Sequence, residues 1–425
     1  METKIAGTSK NIYIYFVLLV CLYIYYRSTH ITFGDGIVFM YTIAKGYDIS
    51  TTATTHLLYI NFLKVVNDSL PFFDSVAKAV GVSIMFSIFT LSLVYRSSYI
   101  LTENRIASIM STLLLGLSFT YWRQTEIIEV YTTNCFIVSL LIWAVLKKYN
   151  SKNFSTPNTG IILGLSLLIH IQNILLIPFY IFHLINHKKD KKYIIIGLAS
   201  FIVLSSILFA IPLLFDSNSI TSIFFLDERF KAKAIAFDLA IISKGFFRSI
   251  LYFLYNYIFF IFFMIHGAVI LYKKDFKLFC LLFVAGAPIW LFSMKYDVTD
   301  NYVFFLTSYI ICCIVSSLSF AYFLAKINVR YRLFLPSIVF ILPLFYYVTC
   351  VLAQYIPQTK EFRSTKAYKG GLKYYLWPGM RNNVDMLTVS SKPSDYNIPE
   401  GELSQIEWNF KLAEKYKTIV ESGKK

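Results

Sequence analysis

Long uninterrupted apolar runs dominate this sequence, for example at 77–95, 193–214 and 302–325. A run of about 20 apolar residues is long enough to cross the hydrocarbon core of a bilayer as a helix. Charged residues make up only 15% of the 425 residues, and the mean hydropathy is +0.60. These values exclude a soluble enzyme, a disordered chain and a disulfide scaffold. The sequence therefore predicts an all-α polytopic membrane protein.

Basic residues indicate how the chain is oriented. Lysine and arginine cluster in short segments between the apolar runs, as expected for cytoplasmic loops. With a cytoplasmic N-terminus, these clusters account for the net charge of +16 without nucleic-acid binding. The first apolar run lacks a small-residue cleavage pattern and is predicted to be an uncleaved span. Single spans are predicted at 11–27, 77–95, 106–120, 132–146, 193–214, 251–272, 278–294, 302–325 and 333–355.

The segment 160–185 is apolar but is interrupted by His170, Gln172, Asn173 and Pro178. Basic clusters flank both of its ends, so a single crossing would place one cluster on the wrong side. We therefore predict two short half-crossings that meet near 170–173, since polar breaks are tolerated where they line a cavity. His170 either lines such a cavity or forms hydrogen bonds with the backbone groups of the broken helix.

Ionisable residues between apolar runs are functional hypotheses by default, and four groups of them fall on the predicted outer side. In the first, Gly34 and Gly36 flank Asp35, which could accept a proton from a hydroxyl group. A turn or N-cap aspartate is the alternative. The second group, His56 and Tyr59, shares one helical face and suits either an acceptor loop or an interfacial anchor.

The third group lies at 121–131, where Arg123, Glu126 and Glu129 follow one another at intervals of three residues. This spacing predicts that they lie along one face of a helix. A guanidinium binds phosphate through paired hydrogen bonds, and carboxylates can orient sugar hydroxyls. The alternative is an internal arginine–glutamate pair that joins two helices.

The fourth group is Asp300 with Tyr302 at the outer end of a late span, where an exposed polar turn is the alternative. Arg229 and its basic neighbours could bind an anionic head group, or they could form a solvated helix face.

The six cysteines lie in apolar stretches without Cys-x-x-Cys spacing. The sequence therefore predicts neither a metal nor another cofactor.

Taken in order, these groups resemble the motifs of the GT-C superfamily of membrane glycosyltransferases, and most closely its protein O-mannosyltransferase-like family. The matching elements are Gly34-Asp35-Gly36, Trp122 with Glu129-Val130-Tyr131, Gly164-Leu165 through His170, and Asp300-Asn301-Tyr302-Val303-Phe304. The family's His-Pro-x-Gly-Tyr-Pro-Leu-Tyr run is replaced by Thr55-His56-Leu57-Leu58-Tyr59. The resemblance implies a bundle of about 10–12 transmembrane helices over 1–355, with an interfacial first outer loop. A small extracytoplasmic tail over 356–425 follows.

The resemblance also implies an activity, namely inverting transfer of mannose or another hexose from a polyprenyl-phosphate sugar to a hydroxyl acceptor. The acceptor would be protein Ser/Thr or a cell-surface glycan or lipid. Asp35 and Glu129 are the implied catalytic residues, and His56 and Tyr59 the implied acceptor-loop residues. The implied donor-binding residues are Arg123, Glu126, Tyr131, His170, Asp300, Tyr302 and Arg229.

Two other functions remain open from the sequence. Broken helices with polar groups also suit a transporter or flippase for a lipid-linked or polar substrate. A membrane scaffold that presents its tail to a partner is the third possibility. The high content of Ile, Lys, Tyr and Asn is typical of an AT-rich bacterial genome, which predicts an inner-membrane location with an outward-facing site.

Overall fold

The structure is a computed structural model that describes residues 6–50, 56–150, 159–187, 190–215, 228–235 and 237–422. Every regular element in these ranges is helical, and none of the described residues forms a strand. The prediction of an all-α chain is confirmed.

The α-helices are numbered here in chain order. The first ten are α1 Ala6–Tyr26, α2 Gly36–Lys45, α3 Leu57–Ser69, α4 Ser75–Thr102, α5 Arg105–Gly116, α6 Phe119–Thr125, α7 Tyr131–Asn150, α8 Thr159–Ile169, α9 Ile177–Asn186 and α10 Lys191–Phe215. The next seven are α11 Glu228–Ile235, α12 Leu239–Tyr257, α13 Ile261–Lys274, α14 Phe276–Lys295, α15 Leu306–Lys326, α16 Val329–Arg332 and α17 Ile341–Ala353. The last four are α18 Thr359–Thr365, α19 Gly371–Leu376, α20 Met386–Ser391 and α21 Glu400–Ser422. Short 3-10 helices occur at Ile171–Leu176, Ile258–Phe260, Asn301–Phe305, Leu335–Phe340, Ala367–Lys369 and Pro393–Asp395.

Six helical stretches in the described part of the chain are long and apolar enough to cross a membrane. They are Ser75–Thr102, Lys191–Ile211, Leu239–Lys274, Phe276–Lys295, Asn301–Lys326 and Val329–Ala353. Shorter apolar helices lie between them, at Ile14–Tyr26, Gly36–Lys45, Arg105–Gly116, Thr159–Ile169 and Ile171–Asn186. In the stretch that contains α15, 89% of the most apolar 18 residues are buried inside the protein, whereas in the stretch at α10 only 11% are buried. The first is therefore a central helix of the bundle, and the second faces outward.

Helix α4 runs past the predicted end of its span. The span was expected to end at Arg96, but that side chain is exposed and the helix continues to Thr102. Glu103 then adopts a left-handed conformation with φ 52° and closes the helix. The Asn104 side chain accepts hydrogen bonds from the first backbone N–H groups of α5.

The predicted interruption near His170 is confirmed. Helix α8 ends just before it, and the His170 Nδ1 accepts a hydrogen bond from the Gln172 N–H at 3.2 Å. A 3-10 turn follows, and Pro178 lies in the first turn of α9, where a missing N–H costs nothing. The Gln172 amide donates to the Phe304 carbonyl at 3.1 Å, so the break is tied to the region that precedes α15.

The C-terminal segment folds back onto the loop between α1 and α2. The Met386 N–H donates to the Ile31 carbonyl at 2.9 Å, and the rings of Trp377 and Tyr26 lie 5.5 Å apart. Helix α21 packs against α2. The segment predicted as a tail therefore lies directly over the loop that contains Asp35.

Candidate active site

Asp35 occupies the turn between α1 and α2. It holds the N-cap position of α2, but its side chain makes no capping hydrogen bond. The N-cap interpretation therefore does not account for the carboxylate. Gly34 has a φ of +138°, and a Cβ atom there would lie 2.9 Å from the Glu129 Oε1. A glycine is required at this position because it supplies both the backbone angle and the space.

Glu129 meets this turn from the loop between α6 and α7. Its Oε1 accepts a hydrogen bond from the Asp35 N–H at 3.1 Å. The side chain is only 6% exposed, and its Oε2 has no hydrogen-bond partner among the described residues. Burial first, and then the charges of Asp35 and Asp300, raise the pKa of Glu129 well above its usual range. The two predicted catalytic carboxyls are thus neighbours, although 94 residues separate them in sequence.

Asp300 completes an acidic cluster with Asp35 and Glu129. Asp35 and Asp300 are both accessible to solvent, and they lie close enough for the charge of Asp300 to act on Asp35. Burial, followed by the charge of Asp300, raises the pKa of Asp35 from 3.8 to about 7. Burial likewise raises the pKa of Asp300, although the Lys369 charge opposes this shift.

The expectation that Arg123, Glu126 and Glu129 share one helix face is wrong. Helix α6 ends at Thr125, and residues 126–130 form an irregular turn before α7. The backbone of this turn is engaged elsewhere, since the Ser28 N–H donates to the Glu126 carbonyl at 2.9 Å. Each of the three side chains consequently points to a different neighbour.

Arg123 faces the C-terminal segment. Its guanidinium lies over the Tyr374 ring, 4.0 Å from the centroid, and donates a hydrogen bond to the Tyr374 carbonyl. Among the described residues it forms no salt bridge with Glu126 or Glu129, so the internal arginine–glutamate pair is not formed. The side chain is 3% exposed, and its Nε has no partner in the described part of the chain.

Glu126 joins α6 to the C-terminal segment. One carboxylate oxygen accepts a hydrogen bond from the Trp122 indole, and the other accepts from the Met380 N–H at 2.8 Å. Both oxygens are therefore occupied by protein donors. The geometry favours a structural role for this residue over the donor-binding role expected from the sequence.

An aromatic wall lies beside the acidic cluster. The Tyr131 ring is 5.6 Å from the His170 ring and 5.9 Å from the Phe304 ring. Tyr131 is within electrostatic range of all three carboxyls of the acidic cluster. Tyr302 interacts electrostatically with Arg123 on one side and with Asp300 on the other. The predicted donor-pocket residues Tyr131, His170, Asp300 and Tyr302 therefore lie in one region.

The remaining predicted residues are His56, Tyr59 and Arg229. The His56 ring is 5.0 Å from the His170 ring, and its Nδ1 donates to the Ile169 carbonyl at 2.9 Å. Burial lowers the pKa of His56 to about 4, so the imidazole is neutral. Tyr59 is fully buried beside Phe39. Arg229 belongs to α11, but its side chain lies outside the described part of the structure.

No sequence motif placed the C-terminal segment in the site. Residues 368–377 bring Tyr374 to Arg123, and Lys369 lies close enough for its charge to act on Asp300. One signal was available, because four aromatic residues crowd this stretch at Tyr368, Tyr374, Tyr375 and Trp377. Such density is unusual for a solvated tail and indicates a packed surface. Among the described residues, no group of three or more His, Cys, Asp or Glu side chains is arranged to hold a metal ion.

Comparison with known proteins places this geometry in context. The family model of the protein O-mannosyl-transferase TMEM260 N-terminal domain matches residues 49–193. ArnT from Cupriavidus metallidurans with bound undecaprenyl phosphate has a similar structure, with a TM-score of 0.61 and 8% identity over 96% of this chain and 74% of that chain. The apo form of ArnT has a TM-score of 0.57 and 7% identity, over 86% of this chain and 66% of that chain. The apo oligosaccharyltransferase of Archaeoglobus fulgidus has a TM-score of 0.58 and 11% identity, over 95% of this chain and 59% of that chain.

The chain has the GT-C fold. The predicted resemblance to GT-C glycosyltransferases is therefore confirmed, with an O-mannosyltransferase-like segment at 49–193. That segment contains Arg123, Glu129 and His170 but neither Asp35 nor Asp300. The chain spans about three fifths to three quarters of the length of these solved structures. Comparison with curated protein sequences gives no match.

Proposed function

We propose that this protein is a membrane glycosyltransferase that moves mannose or another hexose from a polyprenyl-phosphate sugar to a hydroxyl acceptor. The acceptor is protein Ser/Thr or a cell-surface glycan or lipid at the outer face of the membrane. The observation that carries the proposal is the contact between two carboxyl residues, in which the Glu129 Oε1 accepts a hydrogen bond from the Asp35 N–H with Asp300 close by. The GT-C fold and the undecaprenyl phosphate bound by ArnT support it.

Asp35 acts as the general base. Its carboxylate accepts the proton of the acceptor hydroxyl, and the acceptor oxygen attacks the anomeric carbon of the donor sugar. The bond between that carbon and the phosphate oxygen breaks, and the polyprenyl phosphate leaves with the electron pair. A direct displacement inverts the anomeric configuration. No general acid is needed, because the departing phosphate is a stable anion.

Glu129 orients the reacting groups. Its Oε1 holds the Asp35 backbone, and its Oε2, which has no partner in the described structure, is available to a sugar or acceptor hydroxyl. Arg123 binds the phosphate and stabilises the charge that develops on it. Its guanidinium suits this role because Tyr374 holds it in place and it forms no salt bridge with any carboxylate in the described part of the chain.

The test is release of sugar from a radiolabelled polyprenyl-phosphate mannose by the purified protein. Asp35→Asn should lower release by about 100-fold or more, since a general base contributes that much to the rate. Asp297→Asn is the matched control, because Asp297 lies on the same loop as Asp300 and pairs with Arg248 at 2.8 Å. Unchanged release by Asp35→Asn would refute the assignment.

A further inference from the structure

Two cations lie near the acidic cluster and form no salt bridge with it among the described residues. Arg123 is buried, has an unpartnered Nε among the described residues and forms no salt bridge there. Lys369 is half-buried and likewise forms no salt bridge with any described carboxylate. Burying a charge without a partner is costly, so such groups commonly serve an anionic ligand.

Lys369 is held in place by the packing of its neighbour. The Tyr368 ring packs against the Phe33 ring at 5.1 Å, and its hydroxyl donates to Glu402 at 2.5 Å. The Tyr374 hydroxyl donates to the Phe33 carbonyl at 3.0 Å. Phe33 lies two residues before Asp35, so the C-terminal segment is fixed to the loop that contains the proposed base.

The same segment connects Lys369 to Arg123. Tyr374 contacts Arg123 through both its ring and its carbonyl. Burial and the charge of Lys366 lower the pKa of Lys369, and the charges of Glu402 and Asp300 oppose this shift. The charge of Arg123 also acts on Lys369 and lowers its pKa. Lys369 and Arg123 are therefore close enough for their like charges to interact, with no described carboxylate paired to either one.

The cations and the carboxyls of the site form no salt bridge with one another among the described residues. An arginine that neutralises a carboxylate lowers its pKa, as Arg248 does for Asp297 in opposition to burial. The pKa of Asp35 is raised instead, and the pKa of Asp300 is also raised although the Lys369 charge opposes that shift. The site thus combines three carboxyls with two cations that are not paired to them. A sugar phosphate fits this combination, with the phosphate at the cations and the sugar hydroxyls at the carboxyls.

We propose that Lys369 is a second ligand of the donor phosphate, so that the C-terminal segment forms part of the donor site. The inference rests on the proposed function of the same site. Arg123 comes from α6, and Lys369 comes from the C-terminal segment that packs against it. Tyr374 is a positioning residue, because it acts on the phosphate only through Arg123.

The experiment measures the Kd of the full-length purified protein for undecaprenyl phosphate, which contains no sugar. Lys369→Met should raise the Kd by about 10-fold to 100-fold, the usual effect of losing one charge-assisted phosphate contact. Lys373→Met is the matched control, since Lys373 is an exposed lysine of the same segment, and its Kd should equal that of the wild type. Lys369→Arg should keep the Kd within a few-fold of the wild-type value.

A salt titration separates a charge contact from a structural effect. The wild-type Kd should rise with added NaCl, and the rise should be smaller for Lys369→Met, because screening acts on the charge that was removed. If Lys369→Met does not fold, Lys369→Gln replaces it in the same measurements. A wild-type Kd in the methionine variant, or an equal salt dependence, would overturn the role of Lys369 alone. Failure of the wild type to bind undecaprenyl phosphate would overturn the proposed function as well.

Discussion

Transfer activity should rise with pH through the neutral range, because Asp35 accepts a proton only as the carboxylate. Burial and the charge of Asp300 raise the pKa of Asp35 from 3.8 to about 7. The ionised fraction is then about one eleventh at pH 6 and about ten elevenths at pH 8, so kcat/KM should increase about tenfold over this interval. An aspartate with an ordinary pKa would be ionised at both pH values and would give a flat profile.

The assay follows the initial rate of lipid-phosphate release by the purified protein between pH 5.5 and 8.5, with the donor below its KM. The donor phosphodiester is ionised throughout this range, so the titration reports on the protein. Asp35→Asn should lose the dependence on pH together with the activity. Asp297→Asn should keep it, because Arg248 holds the pKa of Asp297 below its usual range despite partial burial. A wild-type rate that is constant or falls from pH 6 to pH 8 would refute the assignment of Asp35.

The raised pKa of Asp35 also affects the stability of the folded protein. The folded protein holds the Asp35 proton more tightly than the unfolded chain does, so the contribution of this residue to stability falls as the pH rises from about 4 to about 7. Asp35→Asn removes that loss. The variant should therefore unfold at the same or a higher temperature than the wild type at pH 8, and its advantage should vanish near pH 4. A lower unfolding temperature at pH 8 would mean that loss of activity reflects loss of structure.

Two further substitutions test the geometry around the base. Asp300→Asn removes a neighbouring negative charge, so the midpoint of the pH–activity profile should move to lower pH; an unchanged or higher midpoint would contradict the coupling of Asp300 to Asp35. Gly34→Ala should lower activity at least tenfold and cost about 1–2 kcal/mol of stability, because the new Cβ meets the Glu129 Oε1 and the φ of +138° is strained. Gly46→Ala is its control, since Gly46 has a φ of +147° with nothing within 4 Å of the added Cβ. It should share the stability cost, measured by thermal unfolding, and retain activity.

Hydropathy, together with the residues that begin and end helices, was sufficient to predict most of the helical framework. The helix that carries Tyr59 and the break at His170 are both found in the structure. These features depend on residues close together in the chain, because apolar length and capping act locally. The interval 121–131 shows the limit of such reasoning. Its spacing fits a helix, but tertiary hydrogen bonds stabilise a turn after Thr125 instead.

The sequence by itself determined that this chain is helical and spans a membrane, and it singled out the carboxyl and guanidinium groups that are candidates for the site. Only the tertiary structure decided which of them meet. It brought Glu129 to Asp35, separated Arg123 from both glutamates and placed Lys369 beside the site. The physical reason is that these contacts join residues far apart in sequence, across helix ends whose positions depend on packing. A hydropathy pattern contains no information about such partners, whereas the folded bundle fixes them through shape and hydrogen bonding.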